Sequence, residues 1–339
     1  MRIVFSYLPF AVLYNHGVAL LTSICRAAGI HAYIVPMTTP ETYRDALARI
    51  EPDFVGFSFV TEVDYHASGS FVQEARTLGV PLLAGGVYVR RMWQDVRACG
   101  MFDFVCPGEA EILPGFLLEG NMAMWESPYY QVDLSLLPLP DYSMVNGFEF
   151  HRGYEFLKSM KIIPYSSSRG CPYRCSFCAV RHQPKGVRVK QTVREDLELL
   201  YEQHRPDLFC IMDELLPYYL DDWKAQFDGN RIPFMCYIRA DIEPADLLFL
   251  HRNGLRYCAF GVESGDETYR NDVLAKDLTD KEIWRTVHIL NDLGITYMPF
   301  FMMGTPGETE EIQKRTLAMR DQIGGHPTVW EYQPLEKEA

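Results

Sequence analysis

The chain has 339 residues, of which 48% are hydrophobic and 23% charged, and its formal net charge is -13. This length and apolar content suffice for one large or two ordinary domains and exclude wholesale disorder. An acidic surface repels phosphate backbones on average, which disfavours nucleic acid and favours a small-molecule or peptide substrate. The longest apolar runs, Ile3–Tyr14 and Ile295–Gly304, are shorter than the ~20 residues of a membrane span, so no membrane association is expected.

The first 120 residues alternate strand-like runs with helical patterns. Strands are predicted at Arg2–Tyr7, Ala32–Val35, Phe54–Val60, Pro81–Ala84 and Phe102–Val105. Helices are predicted at Val18–Ala28, Pro40–Ile50, Tyr65–Leu78, Arg91–Ala98 and from Glu109. The alternation predicts an α/β domain at 1–120 with a Rossmann-like, doubly wound parallel sheet. Ligands bind such sheets beyond the carboxyl ends of the strands, here Tyr7–Gly17, Ser58–Tyr65, Gly85–Tyr88 and Cys106–Glu109.

A proline-punctuated segment at 121–155 is predicted to be a linker. Between 156 and 339 the alternation resumes, with strands predicted at Ile162–Ser166, Leu208–Met212, Phe234–Ile238, Tyr257–Val262, Thr296–Met303 and Thr328–Tyr332. Helix-length stretches separate them, such as Arg194–Gln203, Asp241–His251 and Asp280–Leu293. A complete eight-unit barrel takes ~250 residues, so this region predicts a partial (β/α)6 barrel.

Three of the nine cysteines lie close together immediately after the first strand of this second domain: Cys171, Cys175 and Cys178. This crowding favours a metal site over disulfides, and therefore a reducing compartment such as the cytoplasm. Three thiolates can hold three irons of a [4Fe-4S] cluster and leave the fourth iron for another ligand. The alternative is a zinc site completed by His182, in a module that docks a partner protein.

The cysteine spacing, with Phe177 before the third cysteine, resembles the cluster loop of radical S-adenosylmethionine (SAM) enzymes. The resemblance implies that SAM chelates the fourth iron and that Phe177 lies next to its adenine. Four further strand-end segments resemble those of the family and imply SAM-binding residues Asp213, Glu214, Arg239, Glu263, Ser264 and Gly304. Asp213, Glu214 and Arg239 could instead cap the elements that they join, and that alternative stays open.

The first domain resembles the cobalamin (B12)-binding type found in one branch of this family. The resemblance rests on Gly85-Gly86-Val87, on Gly108-Glu109-Ala110-Glu111 and on the Leu-Pro-x-Pro pattern of Leu136–Asp141. It implies that cobalamin binds at the strand ends, with candidate residues Ser58, Thr61, Tyr65, Gly85, Gly86, Val87, Gly108 and Glu109. Tyr88-Val89 differs from the residues that usually follow the Gly-Gly pair in this family. The resemblance therefore does not predict which residues contact the nucleotide tail of cobalamin.

The family resemblance implies reductive cleavage of SAM to a 5′-deoxyadenosyl radical, with electrons from an external reductant. Methylation of an unactivated carbon is the expected reaction. Rearrangement, sulfur insertion or cyclisation, with or without cobalamin, is the alternative. The chain ends at Ala339, soon after the sixth predicted strand, and we expect it to lack the C-terminal region that many relatives add. Neither the substrate nor the oligomeric state follows from the sequence.

Overall fold

A computed structural model describes residues 1–9, 15–120, 125, 127, 130–144, 155–178 and 187–332. The chain divides into two compact units, Met1–Met160 and Lys161–Ala339. Each unit contains one main sheet in which all the strand pairs are parallel. No helix in the described part is long and apolar enough to cross a membrane.

The first unit contains a five-stranded sheet in the order β2-β1-β3-β4-β5. Its strands are β1 Arg2–Tyr7, β2 His31–Pro36, β3 Phe54–Ser58, β4 Leu82–Gly85 and β5 Phe104–Val105. Its α-helices are α1 Asn15–Ala27, α2 Pro40–Ile50, α3 Glu62–Ala67, α4 Gly69–Arg76, α5 Val87–Ala98 and α6 Leu113–Glu119. The predicted doubly wound α/β sheet is confirmed.

One helix predicted in this unit is wrong in its extent. The predicted helix Tyr65–Leu78 is in fact two helices that meet at Ser68. The side chain of Thr61 accepts the N–H of Asp64, which caps α3 and begins it earlier than predicted. Ser68 donates its hydroxyl to the carbonyl of Tyr65 at 2.7 Å, which ends α3 and lets the chain change direction.

The second unit contains a six-stranded sheet in the order β13-β12-β11-β10-β9-β6, which is the order of a partial (β/α)6 barrel. Its strands are β6 Ile162–Tyr165, β9 Leu208–Ile211, β10 Phe234–Tyr237, β11 Leu255–Glu263, β12 Thr296–Met303 and β13 Thr328–Glu331. Its α-helices are α7 Val193–His204, α8 Asp221–Phe227, α9 Pro244–Arg252, α10 Glu267–Asp272, α11 Asp280–Asp292 and α12 Glu310–Ile323. A short antiparallel pair, β7 Ser168–Arg169 with β8 Arg188–Val189, was not predicted.

Packed aromatic side chains contribute to the core of each unit. In the first unit, Phe57 stacks on Phe59 with ring centroids 6.0 Å apart, and both rings meet Phe102 edge-on. In the second unit, Trp223 stacks on Phe227 at 4.1 Å. Burying a large apolar side chain contributes about 1.5–3 kcal/mol, so these rings stabilise the sheets and helices that they join.

Candidate functional site

The cysteine loop follows β7 and carries three free thiols at the carboxyl end of the first barrel strand. Cys175 is buried, whereas Cys171 and Cys178 are half-buried. Burial raises the pKa of the Cys171 thiol, and a backbone hydrogen bond at Tyr173 opposes that rise. Thiols of this kind lose their protons when they bind a metal.

The loop offers three thiolates to either a cluster or a single zinc ion. Within the described ranges, no three His, Cys, Asp or Glu side chains converge on one metal position. A cubane cluster would take one thiolate on each of three irons, whereas a mononuclear zinc site would need a fourth ligand beside the three cysteines. His182, the fourth ligand of the alternative zinc site, lies outside the described residues.

Contacts from three other segments fix the loop and the turn before it. Ser176 donates its N–H to the carbonyl of Leu274 and its hydroxyl to that of Val273, both at 2.9 Å. The Arg239 guanidinium lies 3.7 Å from the centroid of the Tyr173 ring. The predicted site residue Glu214 accepts the N–H of Gly170 at 3.1 Å. The loop is therefore held from the carboxyl ends of neighbouring strands.

Asp213, one of the predicted SAM-binding residues, is engaged within the protein. Its side chain is fully buried and accepts the N–H and hydroxyl groups of both Ser167 and Ser168 at 2.5–3.0 Å. Burial raises the pKa of Asp213 to about 6, and the serine hydrogen bonds oppose that rise. Both carboxylate oxygens thus have partners within the protein, and Asp213 shapes the approach to the cysteine loop.

Arg239 is also engaged within the protein. It is 6% exposed, pairs with Asp241 at 3.1 Å and donates to the carbonyls of Lys276 and Asp277 at 2.7 and 2.9 Å. Arg239 therefore joins the end of β10 to the connection at Lys276 and Asp277, and its contact with SAM stays a prediction. Its guanidinium still covers Tyr173, so it braces the cysteine loop.

Glu263 ends β11 in a left-handed conformation, with φ of 66°. Its carboxylate pairs with Lys276 at 2.7 Å, and both side chains are 9% exposed. The Lys276 ammonium lies 5.6 Å from the centroid of the Phe177 ring, so the predicted residues Phe177 and Glu263 share a neighbour. Lys276 was not among the predicted site residues, since nothing in the neighbouring sequence distinguishes it from a surface lysine.

The remaining predicted SAM residues lie at the ends of β11 and β12. Ser264 is buried, with its hydroxyl 3.3 Å from that of Thr316 and its carbonyl accepting two hydrogen bonds from Arg270. Gly304 has φ of 79° and donates its N–H to Glu308 at 2.6 Å. These turns are braced from behind by side chains of α10 and α12.

The residues predicted to bind cobalamin after β3 and β4 lie at one edge of the first sheet, as Ser58, Thr61, Tyr65, Gly85, Gly86 and Val87. Gly86 has φ of 101°, and a Cβ there would lie 2.4 Å from the carbonyl oxygen of Phe59. A side chain at residue 86 would clash with the backbone of Phe59, which explains why this residue is glycine. Burial raises the pKa of Tyr65, whose hydroxyl lies 3.2 Å from the Cys99 sulfur.

Two apolar side chains at this edge are exposed. Val63 is 64% exposed at the start of α3, and Val87 is 60% exposed at the start of α5. Their helices follow β3 and β4, so both valines lie at the carboxyl edge of the sheet. Val87 is among the residues predicted to bind cobalamin, and Val63 is not.

Glu109, one of the predicted cobalamin-binding residues, is engaged within the protein. It is 6% exposed and accepts the N–H of Val132, which lies 23 residues further along the chain, at 2.7 Å. The neighbouring Gly108 has its carbonyl 3.8 Å from the Cys106 sulfur. Within the first unit, the Gly-Glu turn therefore holds the segment at Val132.

Comparison with known proteins matches both units to described families. The model of the radical SAM superfamily matches residues 165–319, and that of the B12-binding domain matches residues 10–116. The chain is 22% identical to the anaerobic magnesium-protoporphyrin IX monomethyl ester cyclase of Rubrivivax gelatinosus, over 89% of this chain and 61% of that protein. It is 24% identical to an uncharacterized methyltransferase of Synechocystis sp., over 74% of this chain and 48% of that protein.

A solved structure shares the fold across both units. The radical S-adenosylmethionine methyltransferase TsrM from Kitasatospora setae, with cobalamin and a [4Fe-4S] cluster bound, matches with a TM-score of 0.75. The two sequences are 15% identical, and the match covers 97% of this chain and 75% of TsrM. The chain spans about half to three fifths of the length of the two curated relatives.

Proposed function

Because this chain is a radical SAM enzyme with a B12-binding domain, we propose that it methylates an unactivated carbon of a small-molecule or peptide substrate. The radical SAM domain implies a [4Fe-4S] cluster and SAM, and the B12-binding domain implies cobalamin. The proposed reaction draws electrons from an external reductant. Methylation is supported by two of the similar proteins, which are named as methyltransferases.

The observation that carries the proposal is the three-cysteine loop, fixed by hydrogen bonds at the carboxyl end of the barrel sheet. When bound, the cluster and SAM supply hydrogen abstraction, and cobalamin supplies a transferable methyl group. We assign Cys171, Cys175 and Cys178 as the cluster ligands, with Phe177 and Glu263 beside the SAM position. Val63 and Val87 are assigned to the corrin-facing edge of the first unit.

Anaerobic reconstitution with SAM, cobalamin and a reductant tests the proposal. Across candidate substrates, methylation produces 5′-deoxyadenosine and S-adenosylhomocysteine together, and both are measured by chromatography. Cys175→Ala is expected to abolish 5′-deoxyadenosine formation, because the cluster loses one of its three thiolates. Cys25→Ala, which removes a cysteine of α1 that belongs to neither predicted site, serves as the matched control. Undiminished 5′-deoxyadenosine in Cys175→Ala would refute the cluster assignment.

A second candidate is radical cyclisation or rearrangement without methyl transfer. It is favoured by the similarity to a cyclase over 89% of this chain. The same assay separates the two reactions, since cyclisation yields 5′-deoxyadenosine without S-adenosylhomocysteine. A colourless, zinc-loaded protein would contradict both candidates and leave the zinc-binding module.

A further inference from the structure

The connection between α10 and α11, residues Val273–Leu278, contacts both the cysteine loop and the end of β10. Four of its carbonyls accept hydrogen bonds from Ser176 or Arg239, namely those of Val273, Leu274, Lys276 and Asp277. Two of its residues, Ala275 and Asp277, have positive φ angles of 50° and 51°. Backbone strain in non-glycine residues persists where surrounding contacts enforce it, and it concentrates at functional sites. The enforced turn presents one side chain, that of Lys276, to the strand ends.

The Lys276 side chain forms a buried ion pair with Glu263, at 2.7 Å. Space for the pair exists because residue 261 is glycine. A Cβ at Gly261 would lie 1.8 Å from the Glu263 carboxylate and 2.6 Å from the Lys276 ammonium. The same ammonium lies 5.6 Å from the centroid of the Phe177 ring in the cysteine loop. Lys276 thus links a side chain of the cluster loop to the carboxylate at the end of β11.

The burial of this pair requires an explanation beyond stability. Removing two charges from water costs several kcal/mol per ion, and their attraction often does no more than offset that cost. A buried pair is therefore weak evidence for stabilisation, although loss of one partner leaves a costly unpaired charge. Glu263 is also held at a φ of 66°, which few non-glycine residues adopt. Glu263 therefore bears both a desolvation cost and a backbone-strain cost. Its partner Lys276 lies beside the Phe177 ring.

We infer that Lys276 is a positioning residue of the SAM site, which holds the Glu263 carboxylate at a fixed place relative to the Phe177 ring. The inference rests on the proposed assignment of Phe177 and Glu263 to SAM. Lys276 acts through its two neighbours, so its charge and reach matter more than its identity as lysine. Arginine preserves both, whereas methionine preserves the length and removes the charge.

The test measures the SAM affinity of cluster-loaded protein by equilibrium dialysis, with iron and sulfide content determined in parallel. Lys276→Met is expected to weaken SAM binding at least about tenfold, because Glu263 loses its counter-charge. Iron content should stay at the wild-type level, since the three cysteines are untouched. Lys276→Arg should restore SAM affinity to within about threefold of wild type. Lys281→Met, on the exposed start of α11, is the matched control and should bind SAM as wild type does.

A double-mutant cycle distinguishes positioning from general stabilisation. In a Glu263→Gln background, Lys276→Met should have little further effect on SAM affinity, because the carboxylate that Lys276 positions is gone. Additive losses, or wild-type affinity in folded Lys276→Met, would overturn the inference. If Lys276→Met does not fold, the Lys276→Met, Glu263→Gln double variant removes both charges and allows the comparison with Glu263→Gln alone. Absence of SAM binding by cluster-loaded wild-type protein would instead contradict the proposed function.

Discussion

Two carboxylates that follow barrel strands, Asp213 and Glu263, have different environments. Asp213 accepts four hydrogen bonds from Ser167 and Ser168 and faces the protein interior. Glu263 instead pairs with a lysine that also contacts the ring of the cysteine loop. Four hydrogen-bond donors surround the Asp213 carboxylate, whereas the Glu263 carboxylate is paired with one ammonium group. We therefore propose a structural role for Asp213 and assign Glu263 to the cofactor.

Substitution of Asp213 tests its structural role. Asp213→Ala leaves the N–H groups of Ser167 and Ser168 without an acceptor, so we expect the free energy of unfolding to fall by about 2–4 kcal/mol. Asp213→Asn should lose less, because its amide oxygen can accept both N–H bonds. Urea denaturation measures both, and Asp272→Asn at the exposed end of α10 should change stability by less than about 0.5 kcal/mol. Equal stability of Asp213→Ala and wild type would contradict this role.

The pH dependence of stability checks the charge of Asp213. Burial raises its pKa from an ordinary value near 3.8 to about 6, so the folded state binds a proton that the unfolded state lacks between these values. The stabilising contribution of this group is complete below pH 3.8 and is lost as the pH rises through about 6. Wild type should therefore gain stability over Asp213→Asn, by up to about 3 kcal/mol, as the pH falls from about 7 to 4. A constant difference would show that the pKa is not raised.

At the scale of elements, the functional loop depends on helix α10 and the connection after it. The cysteine loop has no regular secondary structure, so its shape comes from contacts with residues 273–278. Arg270 of α10 is fully buried and orients that connection. Its guanidinium donates to the carbonyls of Ser264 and Leu278 and pairs with Asp280 at 2.8 Å. One side chain thus joins the segment after β11 to the end of the connection and the start of α11.

Arg270→Lys should lower the free energy of unfolding by about 2–4 kcal/mol, although it keeps the positive charge. A lysine presents three donors from one nitrogen and cannot reach partners that a planar guanidinium contacts on different sides. Urea denaturation followed by fluorescence measures the loss. Arg252→Lys, at the exposed end of α9, is the matched control. Equal stability of Arg270→Lys and Arg252→Lys would contradict the role of the Arg270 hydrogen bonds in holding residues 273–278.

At the scale of the whole molecule, the chain consists of two compact units with separate sheets and separate cores. The cysteine loop belongs to the second unit, and the exposed valines belong to the first. Because the candidate residues of each cofactor lie within one unit, we expect cobalamin and iron to bind independently. This separation makes it possible to impair one cofactor and read the other as a control.

Val87→Glu and Val63→Glu should weaken cobalamin binding at least about tenfold, because a charge would face the macrocycle without a partner. Both valines are exposed, so stability should hardly change. Absorbance titration measures cobalamin affinity, and iron content should match wild type. Leu118→Glu, a 55% exposed position on α6, is the matched control. Unchanged affinity in both valine variants would place the corrin elsewhere.

Much of the architecture could be predicted from local sequence. Strand β1, helix α2 and strand β12 have the predicted limits, and the six-unit sheet follows from the spacing of apolar runs. Helix ends set by side-chain caps were less accurate, as the division at Ser68 shows. Capping depends on which hydroxyl reaches which N–H, and residue order alone does not specify that geometry.

The roles of individual polar residues depended on distant partners. Glu109 accepts the N–H of Val132, and Asp213 binds two serines that precede it by more than 40 residues. In sequence, both carboxylates lie in motifs that suggest ligand binding. Their partners could not be predicted, because a buried carboxylate takes the nearest donors and these come from other segments of the fold.

The sequence by itself determined the two parallel sheets, the positions of their strands along the chain and the family-like cysteine loop, because apolar periodicity and residue spacing are local properties. Only the tertiary structure decided which charged groups are engaged by other segments of the protein and which we assign to a ligand. It satisfied Asp213 and Glu109 within the protein, and it brought Lys276 to Glu263 beside Phe177. Most buried polar groups require a partner, and that partner is known only once the chain has folded.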